Sequence, residues 1–294
     1  MPGRYVPPPE ARTLYQAFTP EEDQARTNLH YEQPVEFFYL ITGGRWNVYS
    51  ANLWTASADE TSSQEAKLDL LAGILGLREG QRILDVGCGW GGPLTYLCER
   101  YGVRGVGLTL SPAQQAAATE RITRHGVDAQ VIVRHWREYA ADEPFDAVFT
   151  DEVIVHFQDL GGFFARVNGL LRAGGWMLNK ELHFVHERYA TVTRAMAFVN
   201  DIYGSTGNYR TLADELRLAN GAGFDVAVVH QIAREHYQRT LDRWLANMRA
   251  HRERLVALSG PDHYRRFRTY LKVVRGVLGG ETMTLDVVGS RKPT

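Results

Sequence analysis

The stretch ILDVGCGWGG, at residues 83–92, limits the possible folds of this chain more than any other segment. An apolar strand runs directly into a turn that contains Gly87, Gly89 and Gly91. Glycine lets the backbone approach a ligand closely and adopt positive φ values. Because ligands of open α/β sheets bind beyond the carboxyl ends of the strands, this turn predicts a ligand site in a sheet of that kind.

Strand and helix patterns alternate from residue 81 onward. Apolar strand patterns lie at residues 83–86, 103–108, 131–134, 145–150, 176–184, 224–229 and 282–288. Helical patterns lie at residues 93–101, 112–125, 163–171, 212–219 and 236–277, and Ser111 with Gln114 predicts a capping box for the second of them. A further helical pattern precedes residue 81. These β-α units predict a mostly parallel sheet with helices on both faces, in one domain.

Composition excludes several functional classes. The 294 residues include 33 basic and 34 acidic side chains, so the net charge of −1 gives no reason to expect a nucleic-acid partner. No apolar run approaches the ~20 residues of a membrane span, and the N-terminus has no apolar signal-peptide core. Cys88 and Cys98 are the only cysteines, so a disulfide framework and a cysteine metal site are not expected. A cytoplasmic protein without a metal fits these observations.

The glycine turn by itself is compatible with a dinucleotide, a phosphate loop or a nucleoside cofactor. No Gly-Lys-Ser/Thr follows the turn, which excludes a P-loop. The third glycine comes two residues after the second instead of three, which disfavours an NAD fingerprint. Asp85, immediately before the turn, is a further discriminator.

LDVGCGWGG, GVRGVGLTLSPAQ and FDAVFTDEVIVHF together resemble the class I S-adenosylmethionine-dependent methyltransferases. The segments HYEQPVEFFYLI, VYSANLW and HYQRTLDRWLANMRAHR narrow the resemblance to the cyclopropane-fatty-acid and mycolic-acid cyclopropane synthases. The resemblance implies a Rossmann-like α/β fold with a mostly parallel seven-stranded sheet, N-terminal helices and a helical cap. It also implies S-adenosyl-L-methionine as cofactor, with S-adenosyl-L-homocysteine as its product.

This resemblance divides the chain into a partly mobile leader at residues 1–29 and a single methyltransferase domain at residues 30–294. Residues 30–80 are expected to lie over the cofactor, residues 81–184 to form the cofactor-binding core, and residues 185–294 to form the substrate-side cap and the C-terminal strands. The implied cofactor contacts are Tyr49, Ser50, Asp85, Gly87, Gly89, Gly91, Thr109, Leu110, Gln114, Trp136, Arg137 and Thr150.

The chain departs from these synthases where the resemblance implies a caged bicarbonate ion, the base that removes a proton from the new methyl group. The cage cysteine, glutamate and histidine are here Ala51, Val155 and Lys180. The isoleucine that supplies a backbone amide is Leu182, and the cage tyrosine is retained as Tyr237. Because a small anion is costly in an apolar pocket without donors, we expect methyl transfer without bicarbonate-assisted cyclopropane closure.

The catalytic candidates are Tyr237, His156, Lys180 and Glu152, and Glu181 and His183 are further candidate bases. In a strand, Glu181 is expected to point away from the side that Lys180 faces. Lys180 beside a sulfonium suggests an anionic substrate group, although a lysine that extends to solvent is the alternative. Aromatic faces that could stabilise a carbocation are those of Phe37, Phe38, Tyr39, Trp54, Tyr203, Tyr209 and Tyr237.

The sequence therefore predicts a methyltransferase that methylates an alkene carbon in an apolar, unsaturated acyl or isoprenoid substrate. Three alternatives stay open: an O- or N-methyltransferase of a small secondary metabolite, a cyclopropane synthase with a rebuilt base site, and a cofactor-binding pseudoenzyme. The basic residues of YRRFRTYLKVVR allow contact with a membrane surface or a carrier protein, although a solvated helix face is the simpler interpretation. The sequence leaves oligomerisation open.

Overall fold

A computed structural model describes residues 18–31, 33–56, 59–189 and 208–294. Its strands are β1 (Arg82–Val86), β2 (Arg104–Thr109), β3 (Ala129–Val133), β4 (Phe145–Asp151), β5 (Leu171–Phe184), β6 (Asp225–Ile232) and β7 (Met283–Arg291). They form one sheet in the order β3-β2-β1-β4-β5-β7-β6. Only β7 is antiparallel to its neighbours, which confirms the mostly parallel seven-stranded sheet within the described part of the chain.

The helices connect and flank these strands. They are α1 (Pro20–His30), α2 (Val35–Thr42), α3 (Glu60–Leu75), α4 (Gly92–Tyr101), α5 (Pro112–His125), α6 (Leu160–Leu170), α7 (Leu212–Gly221), α8 (Arg234–Ala250) and α9 (Arg252–Gly279). A 3-10 turn at Ile154–His156 follows β4. The long helical pattern near the C-terminus is thus two helices, and α9 is itself kinked at Gly260, next to Pro261. No helix among the described residues has the length and apolarity to cross a membrane.

Two apolar cores lie on opposite faces of the sheet. Strand β1 is buried along its whole length. Its side chains point alternately into the two cores, so that Ile83 belongs to one core and Leu84 to the other. The first core contains Leu94 of α4 and residues of α2, α3, α8 and α9, and the second contains Phe163 of α6 and Ala219 of α7. Helices therefore cover both faces, and the carboxyl ends of the central strands remain as the place for a site.

Three local predictions were wrong. Ser111 caps α5 by accepting a hydrogen bond from the Gln114 amide, but the Gln114 side chain does not complete a capping box. It accepts a hydrogen bond from the Thr109 hydroxyl instead (2.6 Å), so it serves the end of β2. Helix α6 begins at Leu160, three residues earlier than predicted, because Asp159 caps it. Strand β5 begins at Leu171, five residues before the predicted start.

Candidate active site

The glycine turn follows β1 at the centre of the sheet. The amides of Gly87 and Cys88 both donate to the Leu108 carbonyl at the end of β2, at 2.9 and 3.0 Å. Gly87 and Gly89 have φ values of +82° and +53°, which L side chains rarely adopt. The turn therefore stays close to β2 and presents backbone atoms, without side chains, beyond the carboxyl ends of the strands.

A pocket lies at these strand ends, against the turn. It is lined by eleven of the predicted site residues: Tyr49, Ser50, Asp85, Gly87, Gly89, Thr109, Leu110, Gln114, Trp136, Glu152 and His156. Gly91 does not line it; this residue is the N-cap of α4 and faces Ala118 of α5. Thr150 is also outside, and its hydroxyl donates to Asn179 Oδ1 at 2.8 Å.

Asp85 provides a test of whether this pocket suits a cationic ligand. Its side chain is buried, and Oδ2 has no hydrogen-bond partner within the described residues. Burial, together with the nearby Asp151 carboxylate, raises the pKa of Asp85 well above its usual range. A buried carboxyl oxygen that lacks a partner suits a ligand ammonium group. The pocket therefore fits the amino acid end of S-adenosylmethionine.

The opposite end of the pocket is aromatic. The Trp136 ring lies 5.6 Å from the Phe157 ring, and both residues line the pocket. Arg137 does not line it: its guanidinium lies over the Trp136 ring and donates to the Phe18 carbonyl at 3.1 Å. The indole offers a flat surface on which a purine can stack. Arg137 instead packs against this indole and hydrogen-bonds to the segment before α1.

Helix α1 forms a wall of the pocket that the sequence analysis did not identify. Its contributions are Asp23, Arg26, Thr27 and His30. Gln24 donates to the Leu110 carbonyl at 3.2 Å, and Asp23 Oδ2 lies 3.3 Å from His135 Nε2. The capping box of α1, formed by Thr19 and Glu22, was a readable signal for this helix inside the predicted leader.

A carboxylate, Glu152, links the pocket to the catalytic candidates. Its Oε1 accepts a hydrogen bond from the Ala51 amide at 2.8 Å and contacts the Lys180 ammonium. Its Oε2 accepts a hydrogen bond from the Tyr237 hydroxyl at 2.7 Å. Tyr237 is buried on α8 and does not line the pocket itself. The structure thus brings together three of the four predicted catalytic residues.

The structure contradicts the interpretation of Lys180 as a lysine that extends to solvent. Its side chain is 0% exposed, and its ammonium contacts Asp151 Oδ1 at 2.9 Å as well as Glu152. These two carboxylates raise the pKa of Lys180 in spite of its burial, so the lysine stays charged. Its ammonium group is therefore paired within the protein, and contact with an anionic substrate group stays a prediction. A lysine near the positively charged sulfur of a sulfonium needs a neighbouring negative charge. For Lys180, Asp151 and Glu152 provide that charge.

Asp151 and Lys67 complete this network and were missed at the sequence level. Lys67 on α3 is 0% exposed, contacts Asp151 and donates to Ser50 Oγ at 2.8 Å. Ser50 in turn donates to Asp151 Oδ2 at 2.6 Å. Burial lowers the pKa of Lys67, whereas the two lysines hold the pKa of Asp151 below its usual range against the effect of burial. Signals for both were present: the acidic pair at the end of β4, and a single lysine on the apolar side of α3.

Glu181 occupies a separate place beside this network. Its two carboxyl oxygens accept hydrogen bonds from the amides of Val155 and Leu182, at 3.0 and 2.9 Å. Burial and the charge of Glu152 raise the pKa of Glu181 to about 8, so this carboxyl is mostly neutral at pH 7. Glu181 does not line the cofactor pocket. It therefore differs from Glu152 in position.

The remaining candidates have different surroundings. His156 lines the pocket, and burial lowers its pKa, so its ring is mostly neutral at pH 7. His183 lies between Glu215 and Asp286 in the sheet. Phe37 and Phe38 are core residues, and Tyr203 lies outside the described residues. Within the described residues, no group of three or more His, Cys, Asp or Glu side chains could hold a metal ion.

Comparison with known proteins assigns the family. The family model described as mycolic acid cyclopropane synthetase matches residues 18–285. The chain belongs to this family. Methoxy mycolic acid synthase MmaA3 of Mycobacterium tuberculosis is 31% identical over an alignment of 256 residues, which covers 82% of this chain and 86% of that protein. Cyclopropane mycolic acid synthase 1 of the same organism is 31% identical over an alignment of 266 residues, which covers 84% of this chain and 90% of that protein.

Solved structures agree with this membership. The crystal structure of mycolic acid cyclopropane synthase CmaA1 complexed with SAH and CTAB has a TM-score of 0.84 and 28% identity, covering 92% of this chain and 98% of that one. The class I methyltransferase fold and the prediction of an S-adenosylmethionine-dependent methyltransferase are confirmed.

Proposed function

We propose that this methyltransferase transfers a methyl group to an alkene carbon of an apolar substrate, an unsaturated acyl or isoprenoid chain, without a bicarbonate cage. When bound, the cofactor supplies an electrophilic methyl group on a positively charged sulfur. The residues proposed to hold it are Tyr49, Ser50, Asp85, Gly87, Gly89, Thr109, Leu110, Gln114 and Trp136, all of which line the pocket. A cytoplasmic location stays a prediction.

Each part of this pocket has a proposed task. The unpartnered Asp85 oxygen takes the ammonium group of the cofactor, which stabilises the charged carboxylate. Gly87 and Gly89 allow close approach of the backbone, and Trp136 stacks on the adenine. These tasks are positioning tasks, and much of the rate acceleration of methyl transfer comes from alignment in a site that excludes water.

One observation carries the absence of a bicarbonate cage: three of the five cage positions are occupied by buried apolar side chains. Ala51, Val155 and Leu182 are buried, and none of the three side chains carries a hydrogen-bonding group. The amides of these residues already donate to Glu152 and Glu181. A free bicarbonate ion would have to displace these carboxylates to find donors.

Aromatic side chains at the pocket support an apolar substrate. The Tyr49 ring lines the pocket and stacks on the Trp244 ring, with ring centres 5.1 Å apart. An alkene becomes a cation when it accepts a methyl group, and aromatic faces stabilise cations by about 0.5–2 kcal/mol. The CmaA1 structure contains CTAB, which supports a long-chain ligand for this chain by analogy.

The proposal is tested with trideuteromethyl cofactor and a mixture of unsaturated acyl lipids and prenyl diphosphates, with products followed by mass spectrometry. We expect a methylated alkene that keeps all three deuterium atoms. A product that has lost one deuterium means that the new methyl group is deprotonated, as in cyclopropane closure, and contradicts the proposal. Transfer only to phenols or amines in a parallel mixture supports an O- or N-methyltransferase, and cofactor binding without any transfer supports a pseudoenzyme.

A further inference from the structure

Glu152 is held as an anion would be held. Its carboxylate accepts from a backbone amide (Ala51), a hydroxyl (Tyr237) and an ammonium (Lys180), which come from a loop, from α8 and from β5. The Glu152 side chain is only 9% exposed, so these donors replace water around it. Tyr237 and Lys180 occupy two of the positions at which the resemblance implied ligands of bicarbonate. The protein thus supplies a carboxylate at the point where related enzymes are expected to bind a free anion.

The backbone of Glu152 is strained in a way that places this carboxylate. Its φ value is +60°, in the left-handed region that non-glycine residues rarely adopt. The Glu152 amide donates to the Lys180 carbonyl at 2.7 Å, which holds the residue against β5 in this conformation. Such strain persists only where the surroundings impose it. Here it accompanies a side chain that lines the cofactor pocket.

The charges around Glu152 alternate. Lys67 contacts Asp151, Asp151 contacts Lys180, and Lys180 contacts Glu152, so two buried ammonium groups balance two carboxylates. Because Asp151 also contacts Lys180, the charge of this lysine interacts with two carboxylates and does not neutralise Glu152 alone. Glu181, the neighbouring carboxyl, is mostly neutral at pH 7. Glu152 is therefore a carboxylate that lines the pocket and ends this row of alternating charges.

We propose that Glu152 is the base of the reaction and replaces the bicarbonate ion; this inference rests on the proposed function. After methyl transfer, the substrate carbon next to the methylated one lacks an electron pair. A Glu152 oxygen takes a proton from a chain carbon adjacent to that cation, and the electron pair of the broken C–H bond becomes the new C=C bond. The product is a methyl-branched alkene. Lys180 and Tyr237 are positioning residues that orient the carboxylate.

A rescue experiment tests this assignment. Glu152→Ala removes the carboxylate and leaves a small cavity that faces the Ala51 amide, the Tyr237 hydroxyl and the Lys180 ammonium. Formate is the probe, because it carries the same carboxylate and fits where the side chain was. Glu152→Gln is the matched variant, because it removes the charge but keeps the volume. Glu120→Gln, in an exposed ion pair with Arg124, controls for loss of a surface glutamate.

We expect both Glu152 variants to bind the cofactor and to lose about 100- to 10,000-fold in methylated product, the usual effect of a general base. Formate should raise the melting temperature of Glu152→Ala and restore part of its activity. It should do neither for Glu152→Gln, Glu120→Gln or the wild type. The melting-temperature shift needs no substrate, so it reports on the anion site even if the proposed alkene substrate is wrong.

Two results would overturn the assignment. Glu152→Gln that keeps wild-type turnover shows that Glu152 is not the base, whether or not Glu152→Ala folds. A folded Glu152→Ala that binds cofactor but is not stabilised by formate shows that the three donors do not form an anion site. In contrast, a wild type that methylates only phenols or amines overturns the proposed function, and the formate shift of Glu152→Ala then still decides the anion site.

Discussion

At the scale of single residues, the glycine loop contains positions with different requirements. A Cβ atom at Gly92 would lie 1.9 Å from the Trp46 carbonyl oxygen, so this glycine is required for packing. A Cβ atom at Gly89 would meet no protein atom within 4 Å, and the residue lines the pocket. The space next to Gly89 is therefore pocket space, and the two glycines should respond differently to substitution.

We expect Gly89→Ala to fold but to bind S-adenosylmethionine at least about 10-fold more weakly, because its methyl group enters the pocket and about 1.4 kcal/mol is tenfold in affinity. The matched control is Gly80→Ala, which also has positive φ and open space but lies outside the pocket. Both variants should lose about 1–2 kcal/mol of stability from backbone strain. Calorimetric titration with the cofactor separates them, and equal affinities would remove Gly89 from the cofactor site.

Lys180 gives a second residue-scale prediction. Lys180→Met leaves Asp151 and Glu152 without their shared ammonium group, and breaking a buried ion pair costs about 3–5 kcal/mol. Urea unfolding should show a loss of this size, and turnover should fall while the KM of the substrate changes little. Lys272→Met, at an exposed position on α9, should change stability by less than about 0.5 kcal/mol. A large increase in KM with unchanged turnover would instead support the anionic-substrate interpretation.

At the scale of elements, α1 matters most because it closes one side of the pocket. Thr19 caps it, Gln24 bonds to Leu110, and Asp23 lies beside His135. The helix has 11 residues, which is too short for a stable helix on its own. Its capping box and its contacts with the pocket residues therefore determine what fraction of molecules has this helix formed. Order in α1 and affinity for the cofactor should therefore be coupled.

We expect Thr19→Ala to weaken cofactor binding by about 5-fold, because the loss of an N-cap costs about 1 kcal/mol of helix stability. Thr211→Ala, which removes the N-cap of α7 outside the pocket, should lower the melting temperature without changing cofactor affinity. Calorimetric titration of both variants checks this. If Thr19→Ala binds like the wild type, α1 does not contribute to cofactor affinity.

At the scale of the whole molecule, a buried ionic triad joins β5, α7 and β7. The ring nitrogens of His183 lie 3.0 Å from Asp286 Oδ2 and 2.6 Å from Glu215 Oε2. Burial alone would lower the pKa of His183, but the hydrogen bonds to Asp286 and Glu215 raise it to about 10. His183 is therefore an imidazolium at neutral pH, which ties the antiparallel strand to the parallel part of the sheet.

This triad predicts how stability depends on pH. A histidine with a raised pKa stabilises the fold fully below its unfolded pKa of about 6.5, and this contribution is lost as the pH rises through about 10. The free energy of unfolding should fall by about 1.4 kcal/mol per pH unit between about pH 7 and pH 9 from this group. Urea unfolding across this range should show a slope that is steeper by about this amount in the wild type and in the exposed-site variant His230→Asn than in His183→Asn, where the raised pKa of Glu181 still contributes below about pH 8. A slope in His183→Asn equal to that of the wild type would show that His183 is not held as an imidazolium.

The sheet and the glycine turn could be predicted because they depend on local patterns. Residues 83–92 contain both the strand and the turn, and the β-α repeat fixes the sheet type. The network around Glu152 could not be predicted, because the Ala51 amide and the Glu152 carboxylate are 101 residues apart in sequence. The pairing of Lys180 with Asp151 could not be predicted for the same reason: only the pairing of β4 with β5 places the two residues side by side. Side-chain partners across strands depend on register and rotamers, which residue spacing does not encode.

The central claim is that a protein carboxylate replaces a free anion, and the bicarbonate dependence of the wild type tests it most directly. Initial rates of methyl transfer to an unsaturated substrate would be measured in buffer freed of carbon dioxide and again with added bicarbonate. We predict equal rates, because the donors at this point already hold Glu152. A rate that rises with bicarbonate and saturates would contradict the claim and indicate a bicarbonate site elsewhere.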